Sequence, residues 1–210
     1  MDEANLHDYA SMSLAQFLDE LASGNATPGG GAASAVAGAM GASLVSMVCR
    51  LTIGRKKYAQ YESDLQAVLA QADRLRPQFM AQAQADAAAY EQVIAAMKLP
   101  KDTPEQEATR RQVLEEALKQ ATTVPLRTAT MAMEVMRLAA EVKAKGNKNA
   151  ASDAAVAFTL GATAFEGGLA NARINIPLIK DLQFAAEKAD EVDTLRREFA
   201  VLKAKGEDAE

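Results

Sequence analysis

Asp86 is set among alanines, with Ala83, Ala85, Ala87, Ala88 and Ala89 around it. The helix that carries it is therefore smooth and can be packed on more than one side. A carboxyl group held in such a place has a raised pKa and exchanges protons near neutrality. The ordinary alternative is an aspartate that faces solvent from an Ala-rich helix. Other routes to catalysis are poorly supplied. The one histidine, His7, stands near the start of the chain, so a Ser-His-Asp triad or a Cys-His pair would have to recruit a terminal residue. The one cysteine, Cys49, excludes an internal disulfide, and no Cys/His cluster has zinc spacing. The expected chemistry uses no metal and no cofactor, and leans on Asp, Glu, Lys, Arg, Tyr or backbone groups.

Three groups of residues have types suited to binding. Gly29, Gly30 and Gly31 follow Thr27-Pro28 and precede a run of small residues. They permit backbone angles closed to other residues, and at a helix start their N–H groups can face an anion or a polar ring. A plain tight turn uses the same residues. The loop lacks the Lys-Ser/Thr ending of a phosphate-binding loop, and no strand precedes it as a dinucleotide site requires. Arg55, Lys56 and Lys57 suit an acidic substrate or, more simply, a basic helix end. Asn147, Asn149, Ser152 and Asp153 form a polar cluster whose residue types also cap helices. Cys49, Met131, Met133 and Met136 read as core filling.

The elements that must position these residues are helices. Ala, Leu, Glu, Gln, Lys and Met dominate and aromatics make up only 5%, so the class is all-α. The 210 residues suffice for one domain, with residues 1–12 and 206–210 expected to be flexible. A net charge of -5, spread along the chain without a basic block, argues against nucleic-acid binding. The acidic start argues against a secretory signal, so a cytoplasmic location is expected. Residues 27–49 carry no charge and are long enough to span a bilayer. Their Ala, Gly and Ser content instead predicts a buried central helix, not a membrane span.

Ser13 with Gln16, and Thr103 with Gln106, read as capping boxes. Helical patterns cover residues 61–97, with Pro77 kinking or dividing the stretch, and 104–145, with a bend at Pro125. Ser152 or Asn149 is expected to cap the next helix, which runs toward Asn171. An amphipathic segment over 181–205 follows. The expected architecture is a bundle of long antiparallel helices.

In this order the segments resemble the cyclodeaminase domain of formiminotransferase-cyclodeaminase and the related methenyltetrahydrofolate cyclohydrolases, over residues 14–181. The landmarks are Thr27-Pro28-Gly29-Gly30-Gly31, Thr52-Ile53-Gly54-Arg55-Lys56-Lys57-Tyr58, Asp86 with Tyr90, Met97-Lys98-Leu99-Pro100-Lys101, Val124-Pro125-Leu126, Gly146-Asn147, Ser152-Asp153 and Asn175-Ile176. The resemblance implies an all-helical homodimer with a tetrahydrofolate site in a cleft at the subunit interface, lined by the Gly-rich loop. It implies Asp86 as general acid/base. It further implies Gly29, Gly30 and Gly31 against the folate ring, Arg55, Lys56 and Lys57 toward its glutamate tail, and Asp153 and Asn175 as polar contacts or supports of the cleft.

Two reactions fit one tuned carboxyl group. Cyclodeamination expels ammonia as the ring closes between N5 and N10, and cyclohydrolysis adds water to the methenyl bridge. The stretch carries no formiminotransferase segment, which tilts the expectation toward the hydrolase. Ala32 stands where the family often has Ser, and Ala88 where it often has Glu. Those two positions favour the alternative from another class, a helical dimer that binds a folate or another partner without turning it over.

Overall fold

The computed structural model describes residues 8–207, with side chains described through 205. Its helices are α1 (Leu14–Leu21), α2 (Gly30–Arg50), α3 (Glu62–Lys98), α4 (Pro104–Lys145), α5 (Ala151–Asn175) and α6 (Leu182–Glu207). Short 3-10 turns stand at Lys56–Tyr61, Lys148–Ala150 and Ile176–Leu178. No strand occurs among the described residues. His7 and the rest of 1–7, together with 208–210, lie outside them. Within the segment expected to be loose, Tyr9 is buried and sits edge-on to Phe17 at 5.5 Å, which ties residues 8–12 to α1.

Helices α2, α3, α4 and α5 make the bundle, and α2 also touches α4 across it. Small residues permit the close approach. A Cβ at Gly38 would overlap the ring of Phe79, and one at Gly41 would lie 3.1 Å from the carbonyl of Ala157. Uncharged up to its last residue, Arg50, α2 is long and apolar enough to cross a membrane. Here its small-residue faces are packed on α3, α4 and α5, the central place expected from its composition. Cys49, Met131, Met133 and Met136 are buried in the core as expected, beside Phe79, Leu126 and Phe165. Against Phe165 the Phe199 ring of α6 stacks at 4.2 Å.

Both capping boxes form, with reciprocal bonds between Ser13 and Gln16 and between Thr103 and Gln106. Pro77 does not divide α3, which runs unbroken from Glu62 to Lys98. Pro125 lies inside an equally continuous α4. Lacking an N–H, it leaves the carbonyl of Ala121 without its helical partner. The side-chain amide of Asn175 on α5 donates to that carbonyl at 2.8 Å. The start of α5 corrects an expectation. Neither Ser152 nor Asn149 caps it, because the 3-10 turn comes first and Asn147 Oδ1 accepts from the Asn149 N–H at 3.1 Å.

The end of the bundle where α2 finishes is tied across elements. Thr52 Oγ1 accepts from the Asn147 N–H at 2.9 Å and donates to the Val48 carbonyl at 2.6 Å. The Tyr58 hydroxyl accepts from the Lys148 N–H at 3.1 Å. On the α2–α3 side, Ser46 and Arg50 both donate to Asp73, at 2.9 and 2.6 Å.

Candidate active site

Helix α2 starts with Gly29 as its N-cap, a residue with no side chain to accept from the free N–H groups of the first turn. Asp86 supplies the acceptor from α3. The backbone N–H of Ala32 donates to its carboxyl group. Gly31 makes this possible, since a Cβ there would fall on the Asp86 carboxyl itself. Gly31 thus serves close approach and not an unusual backbone angle. Gly29 is extended at φ -118°, and the positive φ belongs to Gly54, at +79°, in the turn after α2.

Asp86 is half-buried, which rules out the solvent-facing reading. Burial raises its pKa, and the hydrogen bond from Ala32 opposes that rise without cancelling it. Tyr9 lies within the field of the same carboxyl. Its phenol is pushed up to about 12, chiefly by burial and then by Glu91, Asp86 and Glu20. It therefore stays protonated at any ordinary pH. Among the described residues no group of three His, Cys, Asp or Glu is placed to hold a metal ion.

From α5, Asn171 reaches the same helix start: its Nδ2 lies 3.6 Å from where a Cβ on Gly30 would stand, and donates to the Gly167 carbonyl at 2.8 Å. Asn175 follows one turn later. Ser34 donates to the Gly30 carbonyl at 2.6 Å, so the first turn of α2 is braced on both sides. Sequence reasoning passed over Asn171 and also Gln82, which precedes Asp86 by one turn of α3. The spacing of four residues, from Gln82 to Asp86 and from Asn171 to Asn175, was the available signal.

Two cavities flank this centre. One of about 690 Å³ is lined by Tyr9, Met12, Pro28, Tyr90, Glu91 and Lys98, and Tyr90 is one turn beyond Asp86. Another of about 870 Å³ runs between α4, α5 and α6 and meets α2 at Ser34, beside Gly167 of α5. The second is larger; Asp86 itself lines neither, and the first is the one that reaches Tyr90, its neighbour one turn along α3.

The sequence-derived residues divide into two groups. Gly29, Gly30, Gly31 and Asp86 converge at the start of α2, while Asn175, one turn past Asn171, turns its amide to the Ala121 carbonyl of α4. Arg55, Lys56 and Lys57 are exposed just past its other end, with Lys57 Nζ 5.5 Å from the Tyr58 ring. Asp153 is in the first turn of α5, at that same far end. At 1.5 Å per residue the 21 residues of α2 separate the two groups by about 30 Å. One chain therefore does not bring the basic patch and Asp86 together.

An antiparallel helical bundle with a half-buried carboxyl group under a glycine-opened helix start defines a helical protein with one sheltered carboxyl at that end of the bundle. Comparison with known proteins places that class more narrowly. A family model described as formiminotransferase-cyclodeaminase matches residues 13–194, and the chain belongs to that family. It is 44% identical over 186 residues to the methenyltetrahydrofolate cyclohydrolase of Methylorubrum extorquens, covering 89% of each chain. It is 34% identical to the formimidoyltransferase-cyclodeaminase of Sus scrofa, covering 88% of this chain and 34% of that longer protein. The crystal structure of formiminotetrahydrofolate cyclodeaminase from Thermotoga maritima superposes with a TM-score of 0.85 at 27% identity, covering 95% of this chain and 96% of that one.

Proposed function

We propose that the protein is a one-carbon folate enzyme acting on the C–N bonds of a tetrahydrofolate, and specifically a methenyltetrahydrofolate cyclohydrolase. The observation that carries this reading is the Asp86 carboxyl, half-buried, raised in pKa and held by the Ala32 N–H under Gly31. The 44% identity to a cyclohydrolase over 89% of both chains favours hydrolysis.

In the proposed reaction water adds to the methenyl carbon between N5 and N10, and ionised Asp86 takes a proton from it. The tetrahedral intermediate then breaks its bond to N5. Asp86 returns its proton to N5, the hydroxyl on carbon gives its proton to solvent, and 10-formyltetrahydrofolate results. A carboxyl with pKa lifted toward neutrality serves both steps, since it is basic enough to accept and acidic enough to return the proton. Cyclodeamination is the second reading, favoured by the fold match to the Thermotoga maritima cyclodeaminase. It passes through a tetrahedral carbon at the same place.

The same reading makes the protein a homodimer whose site is completed across the interface. Helix α2 has no charge between residues 27 and 49, yet Met40 and Met47 stand 50% and 37% exposed, with Val156 of α5 at 50%. A helix apolar on all sides is one that gets covered. A second copy, laid antiparallel on that flank, brings its own Arg55, Lys56 and Lys57 toward Gly29, Gly30, Gly31 and Asp86 of the first. Asp153 and Asn175 then stand as supports, at opposite ends of α5.

The test follows the methenyl chromophore. Loss of absorbance from 5,10-methenyltetrahydrofolate above the uncatalysed rate establishes the cyclohydrolase, and growth of absorbance from 5-formiminotetrahydrofolate establishes the cyclodeaminase. Silence in both overturns the enzymatic reading.

A further inference from the structure

Gln82 is only 8% exposed, yet its Oε1 meets no hydrogen-bond donor from the described residues. Buried polar side chains elsewhere in the bundle are served. Thr122 donates to the Leu118 carbonyl at 2.9 Å, and Ser46 donates to Asp73. An orphan acceptor costs stability unless a ligand or an ordered water serves it, and the position of Gln82 points to a ligand. Gln82 precedes Asp86 by one turn on α3, and residues four apart share a face. Phe79 and Asp86, on either side of it in sequence, meet Gly38 and Gly31 of α2, so this stretch of α3 faces the start of α2.

Resting on the tetrahydrofolate reading above, we propose that Gln82 is the residue that recognises and orients the pteridine ring. A carboxamide carries an acceptor and a donor side by side. So does the lactam edge of a 2-amino-4-oxo pteridine, with N3–H beside C4=O. The two match by a pair of parallel bonds, ring N3–H to Oε1 and Nε2–H to the ring carbonyl. In this fused ring the C4 carbonyl and N5 project toward the same side. Groups spaced like positions 82 and 86, with Cβ atoms about 6 Å apart, can therefore grip the lactam edge with one and reach N5 with the other. Gln82 thus sets which ring nitrogen Asp86 serves, and Asp86 moves the proton.

The test uses the whole protein and two probes: 5-formyltetrahydrofolate, which carries the pteridine, and p-aminobenzoylglutamate, which carries only the tail. Gln82→Met keeps the length of the side chain and removes both polar atoms, and Gln82→Leu serves as a second variant. The expected result is a loss of affinity for the first probe of about 10-fold or more, with unchanged affinity for the second. KM should rise more than kcat falls, and Tm should hold or rise because an unpaired buried oxygen has been removed. Undiminished binding of 5-formyltetrahydrofolate by both variants overturns the inference, as does a Tm lowered by more than about 5 °C in both, which marks a structural role. A wild-type protein that binds neither probe and turns over no folate overturns the functional reading, and this inference with it.

Discussion

The carboxyl group of Asp86 occupies the space that a side chain at position 31 would need. Replacing Gly31 with Ala sets a methyl group against that carboxyl and forces α2 and α3 apart or turns the carboxyl away. The expected cost is about 1–3 kcal/mol of stability, with turnover lost. Gly24→Ala is the control, since nothing lies within 4 Å of a Cβ there. Parallel thermal melts and rate measurements decide it, and an active Gly31→Ala enzyme would mean that the Gly31–Asp86 packing is dispensable.

Asp86→Asn keeps the shape and removes proton exchange, so kcat should fall by roughly 10²- to 10⁴-fold. The sign of its effect on stability is also fixed. The folded-state pKa of Asp86 lies above its unfolded value. Its contribution is therefore fully present below about pH 3.9 and is lost as pH rises through the folded value. In the Asn variant that loss disappears. Melting curves of the two proteins across acid to neutral pH should diverge in favour of the variant as pH rises; curves that stay parallel would contradict the raised pKa.

Removing the amide at position 175 should strand the carbonyl that Pro125 leaves unserved. Asn175→Ala is expected to lose about 1–3 kcal/mol of stability. Adding Pro125→Ala restores an N–H four residues beyond Ala121 and should recover part of that loss. A double-mutant cycle measures the coupling directly, and strict additivity would show that Asn175 does not act through Ala121.

The uncovered flank of α2 gives a test of assembly. Met40→Glu puts a charge in the centre of that flank, so sedimentation should change from a dimer to a monomer with the helix content kept. Loss of activity on mixing-independent dilution of the wild type should follow the same transition. A wild type that is already monomeric removes the two-subunit site.

Cys49 is fully buried, and burial pushes its thiol up to about 11. Alkylation of the folded protein near pH 8 should be slower than that of an unfolded sample by several orders of magnitude, as a buried neutral thiol is a poor nucleophile. Rapid native labelling, read by intact mass, would show that the core opens readily.

Much of the fold was legible because its signals are local. The capping residues Ser13 and Thr103 act within one turn, and the small-residue pattern of α2 predicts close packing whatever packs on it. Asp86 was legible for a related reason, since its alanine neighbours announce a tight environment. The cap of α5 was missed because a 3-10 turn competes with α-helix over only three residues, too short for periodicity to register. The glycine loop was misjudged in mechanism: an absent Cβ serves both positive φ and close contact, and only the partner across the helix pair, here Asp86, tells which. Asn171 and Gln82 carry no local signal beyond spacing, because their meaning comes from elements far away in sequence. The separation of Arg55, Lys56, Lys57 and Asp153 from Asp86 likewise depends on how long α2 is and which way α5 returns.

The tie between Thr52 and Asn147, with Tyr58 on Lys148 beside it, works as an alignment pin. Each pair joins the end of the α2–α3 hairpin to the turn between α4 and α5. A slip of α2 by a single residue, about 1.5 Å, would carry Gly31 past the carboxyl and present the methyl of Ala32 in its place. Two hydrogen bonds some 30 Å away therefore help to hold Gly31 in register with Asp86, and wear at that distant joint would be felt as misfit at Asp86.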